Sequence, residues 1–191
     1  MDADFSIELG PEDPVLDFPW TDPARKLAYV DLKQNLELIA QIDEARQFPE
    51  LELFLKILNS ARSQIETAKC DVWATTELSP EEEMYGASHK FGCYVDVVFS
   101  DSDRRFSFSA HEQLARKLVE LLQRAPEIPA AVELCVRRCF FEGKLSAEEG
   151  FYCTLYVSGY GADADCARQN WAVGLNLAGD GMMQSLNSVV R

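Results

Sequence analysis

The chain has 191 residues, 47% of them hydrophobic, and a formal net charge of −14. That length suffices for a buried core without disulfides or a structural metal. The charge argues against binding a phosphate backbone, which needs Lys and Arg to displace counterions, and against anionic membrane surfaces. It points instead to a basic protein partner. The start of the chain lacks the basic region and apolar run of an export signal, and no apolar stretch approaches the ~20 residues of a membrane span. Five of the six cysteines (Cys70, Cys93, Cys135, Cys139 and Cys153) lie in strand-like apolar runs, and Cys166 lies near a helix start. Such residues act as small hydrophobes in a reducing compartment, so the expected location is the cytoplasm.

Residues 1–23 are acidic and proline-containing, and they read as an extended arm that docks through Phe18 and Trp20 or stays mobile. Thr21-Asp22-Pro23 has the form of a helix start, a capping side chain before proline. Residues 24–63 read as a helical segment packing on the main domain. Helices are expected near Leu36 to Arg46 and Pro49 to Ala61, the second with Leu51, Phe54, Leu55 and Leu58 on one face.

From Gln64 the period changes from helical to alternating. Ala68, Cys70, Val72 and Ala74 take one face; Lys69, Asp71, Trp73 and Thr75 take the other. After an acidic loop, a second strand from His89 to Ser100 groups Phe91, Cys93, Val95, Val97 and Phe99 and turns Tyr94 and Asp96 away. Arg105 to Ser109 would add a short strand. Ser109 and Glu112 are spaced as a capping box for a helix with Leu114, Leu118, Leu121 and Leu122 in one stripe.

The pattern then recurs. A strand at Ala131 to Glu142 and another at Gly150 to Ser158 precede a helix that carries Trp171, Leu175 and Ala178. The fold expected is therefore α+β: a two-layer sandwich with a mainly antiparallel sheet of four to five strands, helices on one face, and a helical N-terminal region. The main domain, residues 64–191, reads as a duplicated strand–strand–helix unit over about 64–126 and 130–182.

Two helices with one apolar stripe each leave the second sheet face free. Strand parity places Lys69, Asp71, Trp73, Tyr94, Asp96, Arg137, Tyr152 and Tyr156 there, and this mixture of rings and charges suits a binding surface. The bland alternative is that the N-terminal helices, or the twin subunit of a homodimer, cover it. Arg138 falls on the apolar side unless a bulge intervenes.

No other pattern carries chemistry. Cys135 and Cys139 on an extended strand lie about 13 Å apart, too far to share a metal or a disulfide. His89 and His111 have no ligand pattern and read as surface histidines. Glu81-Glu82-Glu83 and Glu148-Glu149 read as solvated loop charge. Neither a metal site nor a cofactor is expected, and no nucleotide-loop, nucleophile-elbow or zincin motif occurs. Three readings follow. The first is a non-enzymatic acidic interaction protein or adaptor. The second is a small-molecule-binding domain using the aromatic and charged face. The third is an enzyme with Asp71, Asp96 and Lys69 as acid–base groups.

Overall fold

A computed structural model describes residues 1–80, 82, 86–143 and 146–187. The N-terminal segment supplies β1 (Asp2–Glu8) and β2 (Val15–Phe18), then a small hairpin of β3 (Thr21–Asp22) and β4 (Leu27–Ala28). A 3-10 turn at Leu36–Gln41 leads into α1 (Asp43–Gln47) and α2 (Pro49–Leu58). The remaining elements are β5 (Ile65–Thr75), β6 (His89–Phe99), α3 (Ser102–Arg105), α4 (Phe108–Leu122), β7 (Ala130–Phe141), β8 (Glu148–Gly161) and α5 (Ala164–Asn187).

The main sheet has six strands in the order β1-β7-β8-β6-β5, with β2 also on β7. It is mixed, whereas the sequence suggested four or five mainly antiparallel strands. The added strands are β1 and β2, which run end to end along the free edge of β7, opposite Ala131 to Arg137 and Arg138 to Phe141, both parallel to it. Locally, β1 is an amphipathic strand: Ala3, Phe5 and Ile7 alternate with Asp2, Asp4, Ser6 and Glu8. The order strand, strand, helix occurs twice, as β5-β6-α4 and β7-β8-α5.

All of the longer helices lie on one sheet face. Cys93, Val95 and Val97 of β6, Leu134 and Val136 of β7, and Cys153, Leu155 and Val157 of β8 form the sheet side of the core. Leu114 and Leu118 of α4, Trp171 and Leu175 of α5, and Leu51, Phe54, Leu55 and Leu58 of α2 cover them. The helices of the N-terminal third therefore join this layer and leave the opposite face alone.

Several local expectations change. Thr21-Asp22-Pro23 starts no helix; Asp22 Oδ1 instead accepts from the backbone N–H of Ala24 and Arg25 and closes the β3–β4 turn. The same capping chemistry serves a turn because the chain folds back at once. Arg105 to Ser109 is not a strand but the exit of α3 and the start of α4. The cap of α4 is Ser107, which accepts from Ala110 N; Ser109 lies inside the helix, and Glu112 pairs with Arg116. His111 is not a surface residue. It is 1% exposed, its ring meets Phe99 at 4.8 Å, and Nδ1 lies 2.8 Å from Ser107 O. The run Glu81-Glu82-Glu83 lies outside the described residues except for Glu82, which accepts from Lys90 and, at 3.0 Å, from Tyr160 OH. Residues 144–145, between the strands expected at Ala131 to Glu142 and Gly150 to Ser158, also lie outside them.

One amine makes three hydrogen bonds across the junction between α2 and β5, beside those of Asn59. Lys33 Nζ donates to Ser60 O, Ser63 O and Ile65 O at 2.9, 2.6 and 3.0 Å. Replacing Lys33 with methionine keeps the stem and removes three donors. The expected loss is about 2 kcal/mol of stability, read by urea unfolding, because carbonyls held away from water lose their partner. A change below about 0.5 kcal/mol would show that water replaces the amine freely.

Candidate functional site: the open sheet face

The face away from the helices is covered at one end by the N-terminal segment, and at the other end Glu82 meets Lys90 and the buried Tyr160. At the first end, Leu16 and Phe18 of β2 pack on Ala68, Val98, Cys139, Phe141 and Tyr152, with Trp20 and Tyr29 against them. Polar contacts fasten this N-terminal flap. Trp20 Nε1 donates to Ala68 O at 2.6 Å, and Tyr29 OH donates to Glu66 Oε2 at 2.9 Å. Arg105 completes the patch by donating to Glu66 Oε1 at 2.6 Å while its guanidinium lies 5.1 Å from the Phe141 ring centroid.

A bulge between Thr67 and Lys69 gives the flap its seat. The extra residue shifts strand parity, so Ala68 joins the flap side rather than the face with Cys70 and Val72 that simple alternation assigns it. Beyond the bulge, Lys69, Asp71 and Trp73 share a face with Tyr94 and Asp96, which pair with Asp71 and Lys69 across β5 and β6.

Between these two ends, the central feature of the face is a row of rings crossing the sheet. Trp73 stands 6.5 Å from Tyr94, and Tyr94 stands 6.2 Å from Tyr156, centroid to centroid. All three are half-buried. The row continues through Arg137, whose guanidinium lies 5.7 Å from the Tyr156 ring and donates to Glu8 Oε2 at 2.7 Å. Gly92 permits this arrangement: a Cβ there would come within 3.0 Å of Trp73 Cε2 and Cζ2, so the missing side chain leaves the indole room to lie on β6.

A second row runs parallel to the first. Arg137 Nη1 donates to Thr154 Oγ1 at 2.9 Å, and Thr154 Oγ1 donates to Asp96 Oδ1 at 2.6 Å. Asp96 is 6% exposed, and its other oxygen takes no hydrogen bond from the described residues. Burial pushes the Asp96 carboxyl up to about 6; the Thr154 hydrogen bond and the charges of Arg137 and Lys69 oppose this without cancelling it. Burial, reinforced by Asp96 and Asp71, raises the Tyr94 phenol, so Tyr94 is a neutral ring and donor.

The eight residues singled out from strand parity thus fall on one face but have different environments. Trp73, Tyr94 and Tyr156 line the open part, with Lys69 and Asp71 exposed beside them. Lys69 Nζ also lies 5.2 Å from the Trp20 ring, linking the row to the flap. Asp96 and Arg137 are buried in the floor. Tyr152 is sealed beneath the flap at 3% exposure, so it is part of a core and open to no ligand. Arg138 stays on the helix side, where it donates to Gly10 O at 2.7 Å. Sequence reasoning missed Glu8 and Gly92, whereas Phe18 and Trp20 were named as the residues through which the arm would dock if it did not stay mobile, and they pack in the flap. The alternation within residues 2–8 was the available signal for Glu8; for Gly92 there was none, since it acts through Trp73, distant in the chain.

A cavity of about 390 Å³ lies beyond Trp73 at the far end of β5 and β6, lined by Ala74 to Glu77, His89 to Phe91, and Ala164. Among the described residues no group of His, Cys, Asp and Glu is placed to hold a metal ion, and no helix is long and apolar enough to cross a membrane. Comparison with protein-family models, curated proteins and solved structures finds no match for this chain.

Proposed function

We propose that the protein is a non-enzymatic interaction module whose open sheet face receives a basic segment of another protein. The observation that supports this reading most is the half-buried row Trp73–Tyr94–Tyr156 set among carboxylates. Among the described residues, Asp4, Glu8, Asp71, Asp96 and Glu133 share the face with Lys69, Lys90 and Arg137, and of these Lys90 is already paired with Glu82 and Arg137 with Glu8. Aromatic faces attract ammonium and guanidinium groups, and a carboxylate beside them fixes orientation. The net charge of −14 adds long-range attraction for such a partner.

The expected result is micromolar binding of a synthetic arginine-rich peptide at low salt, followed by tryptophan fluorescence and calorimetry. Raising ionic strength from about 0.02 to 0.3 M should weaken it at least tenfold, since the attraction is screened. Trp73→Ala should weaken it at least tenfold, while Leu53→Ala, at an exposed position on α2, should leave it unchanged. Equal binding by wild type and Trp73→Ala would end this reading. Binding of small neutral molecules with no salt dependence would favour the small-molecule alternative, and the buried carboxyl of Asp96 is what favours an acid–base enzyme as the remaining one.

A further inference from the structure

The sheet edges bear on how such a segment would bind. An edge strand presents a row of backbone N–H and C=O groups, which proteins usually occupy or blunt. On β1, Gln123 Nε2 donates to Ala3 O at 2.9 Å, and Asp4 Oδ1 accepts from Phe5 N at 2.8 Å. The first half of β5 is occupied too: Lys33 reaches Ile65 O, Asn59 Oδ1 accepts from Thr67 N at 3.0 Å, and Trp20 reaches Ala68 O. The second half differs. Val72 N donates to Asp71 Oδ1 at 2.8 Å and therefore points away from β6. Antiparallel pairing makes alternate residues share that direction, so Cys70, Val72 and Ala74 turn their backbone groups outward. Among the described residues, the Asp71 carboxylate is the one partner these groups have.

We propose that Cys70 to Thr75 form a strand-addition site for an extended basic segment of a partner protein. This rests on the basic-partner reading above and adds the bound conformation and the register. An incoming carbonyl takes the Val72 N–H, which frees the Asp71 carboxylate for a cationic side chain of the added strand. That side chain lies beside Trp73, at the end of the aromatic row. Side chains of opposite parity point to the helix side, where Ala74 is at once an edge residue and a wall of the 390 Å³ cavity. Strand addition works in this way in general, with backbone bonds giving affinity and pockets for alternate residues giving selectivity. A second copy of this chain is the disfavoured occupant, because each copy carries −14.

The test uses the full chain and a ten-residue peptide alternating arginine with valine. Two variants of the peptide carry N-methyl groups at alternate backbone positions, one set on each edge. Hydrogen exchange at Cys70, Val72 and Ala74 is followed alongside affinity. The expected result is that one methylated set binds at least tenfold more weakly and the other is unaffected, with at least tenfold slower exchange at those three amides. Asp71→Ala should abolish the preference for arginine over citrulline. Binding that depends on Trp73 but leaves these amides unprotected, with both methylated sets equal, overturns strand addition and leaves the face reading standing. Protection without dependence on Trp73 does the reverse. No binding by any peptide overturns both, and a dimer in sedimentation with these amides already protected assigns the edge to a second copy.

Discussion

Gly159→Ala is expected to destabilise the protein by about 4 kcal/mol or more and to leave little folded chain at 37 °C. A Cβ at residue 159 would sit 2.0 Å from Trp171 N and 2.4 Å from Ala167 O. Both are backbone atoms of α5, so no side-chain rotation relieves the clash. Gly161 faces the same helix, with its Cβ position 2.4 Å from Ala167 N. The end of β8 and the first turns of α5 therefore touch backbone to backbone, which brings Trp171 onto Phe91 at 4.8 Å and Cys93 Sγ within 3.3 Å of Trp171 Nε1. An alanine would lift α5 off the sheet and unpack a side chain with no exposed surface. Overpacking alone costs about 1–3 kcal/mol, and the lost burial of Trp171 adds to it. Thermal unfolding followed by circular dichroism checks the expectation. Gly174→Ala, where the nearest atom is a side-chain methyl at 3.2 Å, is the control and should lose far less. Equal losses at both positions would show that the close approach at Gly159 is not what holds α5.

The second large effect concerns Asp96. Its carboxyl, at about 6, lies above the ordinary 3.8. The folded state thus binds this proton more tightly than the unfolded chain does. The resulting stabilisation is fully present below the ordinary carboxylate value and is lost as pH rises through 6. Above that, the ionised carboxylate costs about 3 kcal/mol relative to a neutral group in the same place. Asp96→Asn keeps an acceptor for the Thr154 hydroxyl and removes the charge. The variant should be more stable than the wild type by up to about 3 kcal/mol above pH 7, with the advantage fading to nothing near pH 4. Urea unfolding of both proteins between pH 4 and 8 reads the difference. A pH-independent difference would mean that Asp96 is not the titrating group. The same substitution removes a carboxylate from the face proposed to bind a cation, so the stabilised variant should bind the arginine-rich peptide at least tenfold more weakly. Stability given up at a working site is a common pattern, and here both sides can be measured on one variant.

How much was legible beforehand follows from the range of each signal. The alternation in 69–75, 91–99, 132–137 and 151–157 has the pleat's period of two, so it assigns residues to faces without knowledge of which strands are neighbours. That is why the face carrying Lys69, Asp71, Trp73, Tyr94, Asp96, Arg137, Tyr152 and Tyr156 could be written from the sequence. The helical stripes of α2, α4 and α5 were legible for the same reason, since their apolar spacing is local. The bulge at Ala68 marks the limit: one extra residue reverses parity without altering composition.

By itself, then, the sequence determined the α+β character, the helix stripes, the acidic charge and the sorting of side chains between the two sheet faces. Each of these is a property of neighbours along the chain. Only the tertiary structure decided that β1 and β2 run parallel along β7, that the N-terminal helices join the layer of α4 and α5, and that the flap seals Tyr152 while Trp73, Tyr94 and Tyr156 stay accessible. It also decided that Glu8, Arg137, Thr154 and Asp96 form one hydrogen-bonded row. The physical reason is common to all of these. Which strand takes a free edge, and which face a loop covers, is settled by burial and pairing between residues far apart in the chain, and the local pattern of hydrophobicity is the same for every such choice.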